Sequence, residues 1–206
     1  MAKLRITYNA PVVLTFTLAA VVVFCLTRLI TPMQSWFQAG PYLDGIKSYV
    51  GLFSHILGHA SWEHLLGNFM LILLIGPILE ERHGSVPLLI MILRTALITG
   101  LANLAFSSGF LLGASGIVFM MILLASTANI RAGEIPLTFI AIALIYLGGE
   151  IVRAFEDDQV SQMAHLLGGV TGAVFGFVSA RGKSTSLPRT AGDVLTPKIA
   201  AKKLQP

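Results

Sequence analysis

Residues 161–180, SQMAHLLGGVTGAVFGFVSA, form an apolar run of membrane-spanning length that contains a single ionisable side chain, His165. About 20 mainly apolar residues are what a helix needs to cross the hydrocarbon of a bilayer. Gly168, Gly172 and Gly176 recur every four residues, so they fall on one helical face and permit another helix to approach closely. An imidazole is costly in such a segment, and polar groups inside a bilayer usually mark function. A second segment has the complementary feature. Gly113-Ala114-Ser115-Gly116 opens another apolar run and places a hydroxyl at its start. Serine and histidine together are the minimum apparatus for nucleophilic acyl transfer, provided the fold brings them into contact.

The remainder of the chain fits a membrane bundle. Of 206 residues, 55% are hydrophobic and 12% charged, and the mean hydropathy is +0.80. Soluble domains average about 25% charged residues. The net charge of +4 is carried largely in tails and loops. It therefore follows the orientation rule for membrane proteins and is no sign of a nucleic-acid partner. The lone Cys25 cannot form an intrachain disulfide and is expected to act as a small apolar residue.

Six spans are expected: 11–30, 61–79, 86–106, 115–130, 135–152 and 161–180. Lys3 and Arg5 before the first give it the look of a signal peptide. No small-residue cleavage site follows, so it is expected to remain as the first membrane helix. The interval 31–60 is long and carries Trp36, Phe37, Tyr42, Tyr49 and Phe53, which suits the membrane interface. Lys3, Arg5, Arg82, Arg131, Arg181 and Lys183 share one side; Arg28, Lys47 and Arg153 share the other with Glu156-Asp157-Asp158. The first side, with both termini, is expected to be cytoplasmic. Residues 1–181 then make up the six-helix membrane domain, and 182–206, polar and punctuated by prolines, a flexible basic cytoplasmic tail.

Depth supports a meeting of the polar residues. At about 1.5 Å per residue, Ser115, His165 and His64 each lie about 24 Å from the cytoplasmic edge and Asn68 about 18 Å. His64 and Asn68 are four apart on one helical face and offer donors for an oxyanion. Ser115 opens its helix, so nearby N–H groups lack intrahelical partners and can add to that set. Gly113 and Gly116 allow tight turns and close approach of a substrate backbone. Each residue also has a plainer reading: Ser115 as a packing residue bonded to its own helix, His165 as a structural hydrogen-bonder, His64 and Asn68 as anchors for the first loop. His55, His59 and His64 invite a metal reading, but no carboxylate or cysteine completes a ligand set, so no metal is expected. Arg94, inside the third span, is expected to snorkel or to pair with Glu80 or Glu81.

The ordered set His59-Ala60-Ser61-Trp62-Glu63-His64, Asn68, Gly113-Ala114-Ser115-Gly116 and Ala164-His165 with its glycine stripe resembles the rhomboid intramembrane serine proteases. Glu80-Glu81-Arg82-His83-Gly84-Ser85 is similar to the family's second-loop motif, and the likeness runs over about residues 50–180. The resemblance implies an all-α, six-transmembrane-helix bundle in which Ser115 is the nucleophile and His165 the general base. It implies an oxyanion site of His64, Asn68 and the Ser115 N–H, supported by Gly113 and Gly116. No cofactor is implied. The partners implied are membrane lipid and transmembrane protein substrates, cleaved in or near their membrane segment. The chain departs from the family at Phe37, where well-known bacterial members have arginine after Trp36. It departs again at Phe119, a position often held by tyrosine, whose ring can still stack on His165. The short fourth span suits a minimal bacterial form in the inner (cell) membrane. The alternative is a catalytically silent rhomboid-like protein that binds membrane clients. A channel is disfavoured because the polar residues form one layer and no chain of charges crosses the bilayer.

Overall fold

A computed structural model of the chain describes residues 7–127, 135–153 and 162–184, with the side chains of 149–153 and 181–184 left aside. The helices are α1 (Pro11–Leu29), α2 (Ile46–Ser54), α3 (Trp62–His83), α4 (Ser85–Phe106), α5 (Ser115–Ser126), α6 (Leu137–Arg153) and α7 (Gln162–Ser184). Short 3-10 turns occupy Thr31–Trp36 and His55–Leu57. Helices α1, α3, α4 and α7 are long and apolar enough to cross a membrane, whereas α5 and the apolar part of α6 are shorter. The all-helical membrane bundle expected from the sequence is thus observed, with one addition: the first loop carries its own helix, α2. The expected tail falls mostly on residues 185–206, and the loop acids Glu156, Asp157 and Asp158 on 154–161; both stretches lie outside the described residues.

The bundle is built around α5. Gly116, Ile117, Val118 and all residues from Met120 to Leu124 are buried, so this helix is apolar on every side. Outer helices instead turn large apolar side chains such as Leu18, Leu74, Leu144 and Val178 outward, as a lipid-facing surface requires. The tightest helix pair is α5 with α7. A Cβ built on Gly168 or Gly172 would overlap the carbonyl oxygens of Gly116 or Met120, and one on Gly176 would overlap Thr127. The stripe seen in the sequence is therefore the seam where two backbones touch. Thr171 extends the contact to α4: its hydroxyl donates to the Gly168 carbonyl at 2.7 Å and lies 3.3 Å from the Thr95 hydroxyl.

Two devices fix the remaining elements. Glu80, buried near the end of α3, accepts from the backbone N–H of Val12 at 2.9 Å and of Val13 at 3.0 Å, and from the Ser85 hydroxyl at 2.7 Å. A carboxylate is favoured at a helix N-terminus, where N–H groups lack intrahelical acceptors and the helix dipole is positive. Of the alternatives expected for Arg94, pairing with Glu80 or Glu81 is not found among the described residues, and the Glu80 carboxylate serves α1. The first loop is tied down in turn by a backbone bridge between Ala39 and Leu111, with both hydrogen bonds at 2.8 Å. Asn103 donates to the carbonyls of Ala39 and Gly109, each at 3.0 Å. The loop leading into Ser115 thus shares its anchors with the first loop.

Candidate active site

Ser115 is the first residue of α5 and is half-buried. Gly113, two residues earlier, has φ +123°, a conformation that favours glycine. A Cβ there would stand 2.6 Å from the His64 ring and 3.8 Å from Asn68 Nδ2. His64 and Asn68 therefore flank the turn that delivers Ser115. Ser61 caps α3, its hydroxyl accepting from the His64 N–H at 3.2 Å, which fixes where His64 enters the helix.

From the other side comes α7. Its first turn lies against α5, with the carbonyl of Ala164 3.3 Å from a Cβ built on Gly116. The His165 ring is buried and lies flat on Phe119, with centroids 4.5 Å apart and an interplanar angle of 7°. Phe119 follows Ser115 by four residues, one turn along the same helix face. Tyr146 of α6 meets the Phe119 ring edge-on at 5.8 Å, so three rings from three helices form one stack. The fold thus brings the first turns of α5 and α7 together and places His64 and Asn68 against the turn before Ser115.

His59, which the sequence gives no role beyond a place in the family-like motif and a rejected metal reading, is a structural part of this site. Its Nδ1 lies 3.2 Å from the Leu57 carbonyl, which can only accept, so Nδ1 carries the proton. Nε2 is then an acceptor, and it receives the Asn68 amide at 3.1 Å and the Ala114 N–H at 3.4 Å. The Gly113 N–H donates to the His55 carbonyl at 3.0 Å. His55 is fixed by its own ring, whose Nδ1 donates to the Gly51 carbonyl at 3.0 Å and whose Nε2 lies 3.2 Å from the Thr99 hydroxyl. Two loop histidines therefore hold the turn before the serine and orient the Asn68 amide.

Both histidines are held neutral. Burial lowers the pKa of His55 from 6.5 to about 4, against the pull of its backbone hydrogen bonds. Burial first, and the neighbouring His64 second, lower that of His59 from 6.5 to about 4. An unfolded histidine binds a proton below about 6.5, whereas these folded ones do so only near 4. Stability is accordingly full above 6.5 and falls as the pH drops towards 4. The melting temperature in detergent is expected to decline over that window. His59→Gln, which can still accept a hydrogen bond but does not titrate, should show a shallower decline. An equally steep decline in that variant would place the acid sensitivity elsewhere.

Helical elements, apolar outer faces and a serine-bearing central helix define a helical membrane protein with a polar site inside the bundle. Residues 47–182 match the family model described as the rhomboid domain. The chain belongs to the rhomboid family. It is 34% identical over 137 residues to Rhomboid-related protein 1 of Caenorhabditis elegans, a match covering 61% of this chain and 38% of that protein. It is 26% identical over 137 residues to rhomboid protease GlpG of Haemophilus influenzae, covering 65% of this chain and 71% of the relative. The chain thus spans well under half of the worm protein and somewhat more than two thirds of the bacterial one. It is an integral membrane protein.

Proposed function

We propose that the protein is an intramembrane serine endopeptidase that cleaves transmembrane protein substrates in or near their membrane segment, using Ser115 and His165. The observation that carries this reading is the flat stack of His165 on Phe119, one turn from Ser115. It holds an imidazole beside the start of α5 in a ring orientation it cannot easily leave. Membership of a family that includes a named rhomboid protease supports the same chemistry.

In this mechanism His165 accepts the Ser115 proton as Oγ attacks the scissile carbonyl. The oxyanion is held by His64, Asn68 and the Ser115 N–H. Collapse expels the amine, which takes the proton back from His165 and leaves an acyl-enzyme. Water, deprotonated by the same imidazole, then hydrolyses the ester and restores Ser115. Gly113 and Gly116 keep the turn narrow, and His59 aims the Asn68 amide. The Lys and Arg distribution supports cytoplasmic termini, and hence a site near the outer face, and the short fourth span supports a bacterial inner-membrane setting.

The test is cleavage of a single-span model substrate in liposomes, by the wild type and by Asn68→Ala. An oxyanion donor acts in the transition state, so Asn68→Ala should lower kcat by about 10²–10³ with little change in KM. A raised KM at unchanged kcat would make Asn68 part of a docking surface. No cleavage by a folded wild type would favour the silent, client-binding alternative.

A further inference from the structure

Arg94 sits near the middle of α4 and is exposed on the outer surface of the bundle. Among the described residues it has neither a hydrogen bond nor an ion pair, and Glu80, beside the start of α4, is committed to the start of α1. An arginine at the bilayer centre costs about 2.5–3.5 kcal/mol, which an anion at its head would offset. The aliphatic stem of Arg94 borders a cavity of about 320 Å³ between α4 and α7, walled otherwise by Leu97, Ile98, Val170, Val174 and Phe175. Thr171 also borders it, but that hydroxyl is spent on the Gly168 carbonyl and on Thr95, so the walls are otherwise apolar.

Direction identifies the occupant. Side chains on a helix lean towards its N-terminus, so Arg94 leans towards the Ser85 end of α4. Its Cα stands about 13 Å above Ser85, within one leaflet of a hydrocarbon layer about 30 Å thick. A long aliphatic stem carries the charged head part of that distance towards the headgroups of that leaflet. The groove lies across the level of the bilayer midplane, with Val174 and Phe175 of the antiparallel α7 on its Ser85 side and Leu97 and Ile98 on its far side. A cation leaning towards one leaflet beside an apolar groove matches a lipid of that leaflet, phosphate out and acyl chain in.

We propose that Arg94 and the α4–α7 groove bind a phospholipid of the leaflet at the α3–α4 turn, with the phosphodiester on the guanidinium and one acyl chain in the groove. The lipid bridges α4 to α7, the helix that carries His165, and so stabilises the bundle as any ligand of the folded state does. The planar fork of arginine suits a phosphate better than a point charge would.

The test is thermal melting of the full chain in a maltoside detergent, with and without phosphatidylglycerol, with diacylglycerol at the same mole fraction, and with inorganic phosphate. Phosphatidylglycerol should raise the wild-type melting temperature by about 4 °C or more, the other two by much less. Arg94→Gln should lose the rise and Arg94→Lys keep part of it. Val174→Trp, which fills the groove without removing the charge, should also lose it. An undiminished rise in Arg94→Gln, or an equal rise with diacylglycerol, would overturn the phosphate assignment. An equal rise with inorganic phosphate would show a free-anion site with no part for lipid. A change of oligomeric state in Arg94→Gln with the lipid response intact would assign the face to a protein partner instead.

Discussion

Ser115→Ala is expected to reduce cleavage of a transmembrane substrate to background, a loss of at least about 10⁴-fold, while the melting temperature stays near that of the wild type. The substitution removes one oxygen from a half-buried position at a helix start. It opens no sizeable cavity, and α5 keeps its apolar contacts. His165→Ala should lose as much rate, because without the imidazole the hydroxyl has no base. Its stability should fall as well. The ring is buried and stacked on Phe119 at 4.5 Å, and aromatic pairs contribute about 0.5–1.5 kcal/mol beyond the area they bury. Equal loss of rate with unequal loss of stability is the signature expected of a nucleophile and a packed base. Cleavage rates and melting curves of the two variants in the same detergent supply the check. Substantial cleavage by Ser115→Ala would remove the serine from the chemistry.

Gly172→Leu should lose both stability and activity although it touches neither Ser115 nor His165. A Cβ at this position would overlap the Met120 carbonyl of α5, and backbone atoms cannot step aside as a flexible side chain can. The two helices must separate. Overpacking of this kind costs about 1–3 kcal/mol and sometimes more, which for a chain of this size lowers the melting temperature by about 2–12 °C. The displacement also reaches the site, since His165 lies two turns away on the same helix. A misplacement of about 1 Å can cost about 10² in rate. Gly67→Leu is the control. Nothing lies within 4 Å of a Cβ built there, and the position is exposed on α3. It should melt and cleave nearly as the wild type does. Wild-type behaviour in Gly172→Leu would mean that α5 and α7 do not meet along this seam.

The seam illustrates what could be read from the chain itself. Glycines at a spacing of four have one physical use in an apolar helix, close backbone contact, and that contact is where Gly168, Gly172 and Gly176 stand. The stacking of Phe119 on His165 was accessible only through the family resemblance, in which that position carries a ring. Residues that work through the first loop were not accessible. His59 reaches Asn68 and Ala114 only because residues 31–61 fold back over the bundle on a bridge at Ala39 and a short helix α2. Nothing in the spacing of His55, His59 and His64 distinguishes that arrangement from a failed metal site. Glu80 was hidden for a similar reason: a carboxylate near a charged loop gives no sign that it caps a helix beginning 69 residues earlier at Pro11. Tyr146, one apolar-span aromatic among several, gives no sign of the ring it meets. Local periodicity and the cost of polar groups in a bilayer are written in the sequence, whereas long-range returns of loops are not.

The central claim is that Ser115 is a nucleophile activated by His165. Covalent labelling by a fluorophosphonate probe tests it most directly, since phosphonylation of the serine oxygen with loss of fluoride requires an activated hydroxyl and no knowledge of the substrate. The account predicts one labelled peptide, carrying Ser115, in the folded wild type, and no label in Ser115→Ala or His165→Ala. A folded wild type that takes no label, or takes it on another residue, would contradict the account.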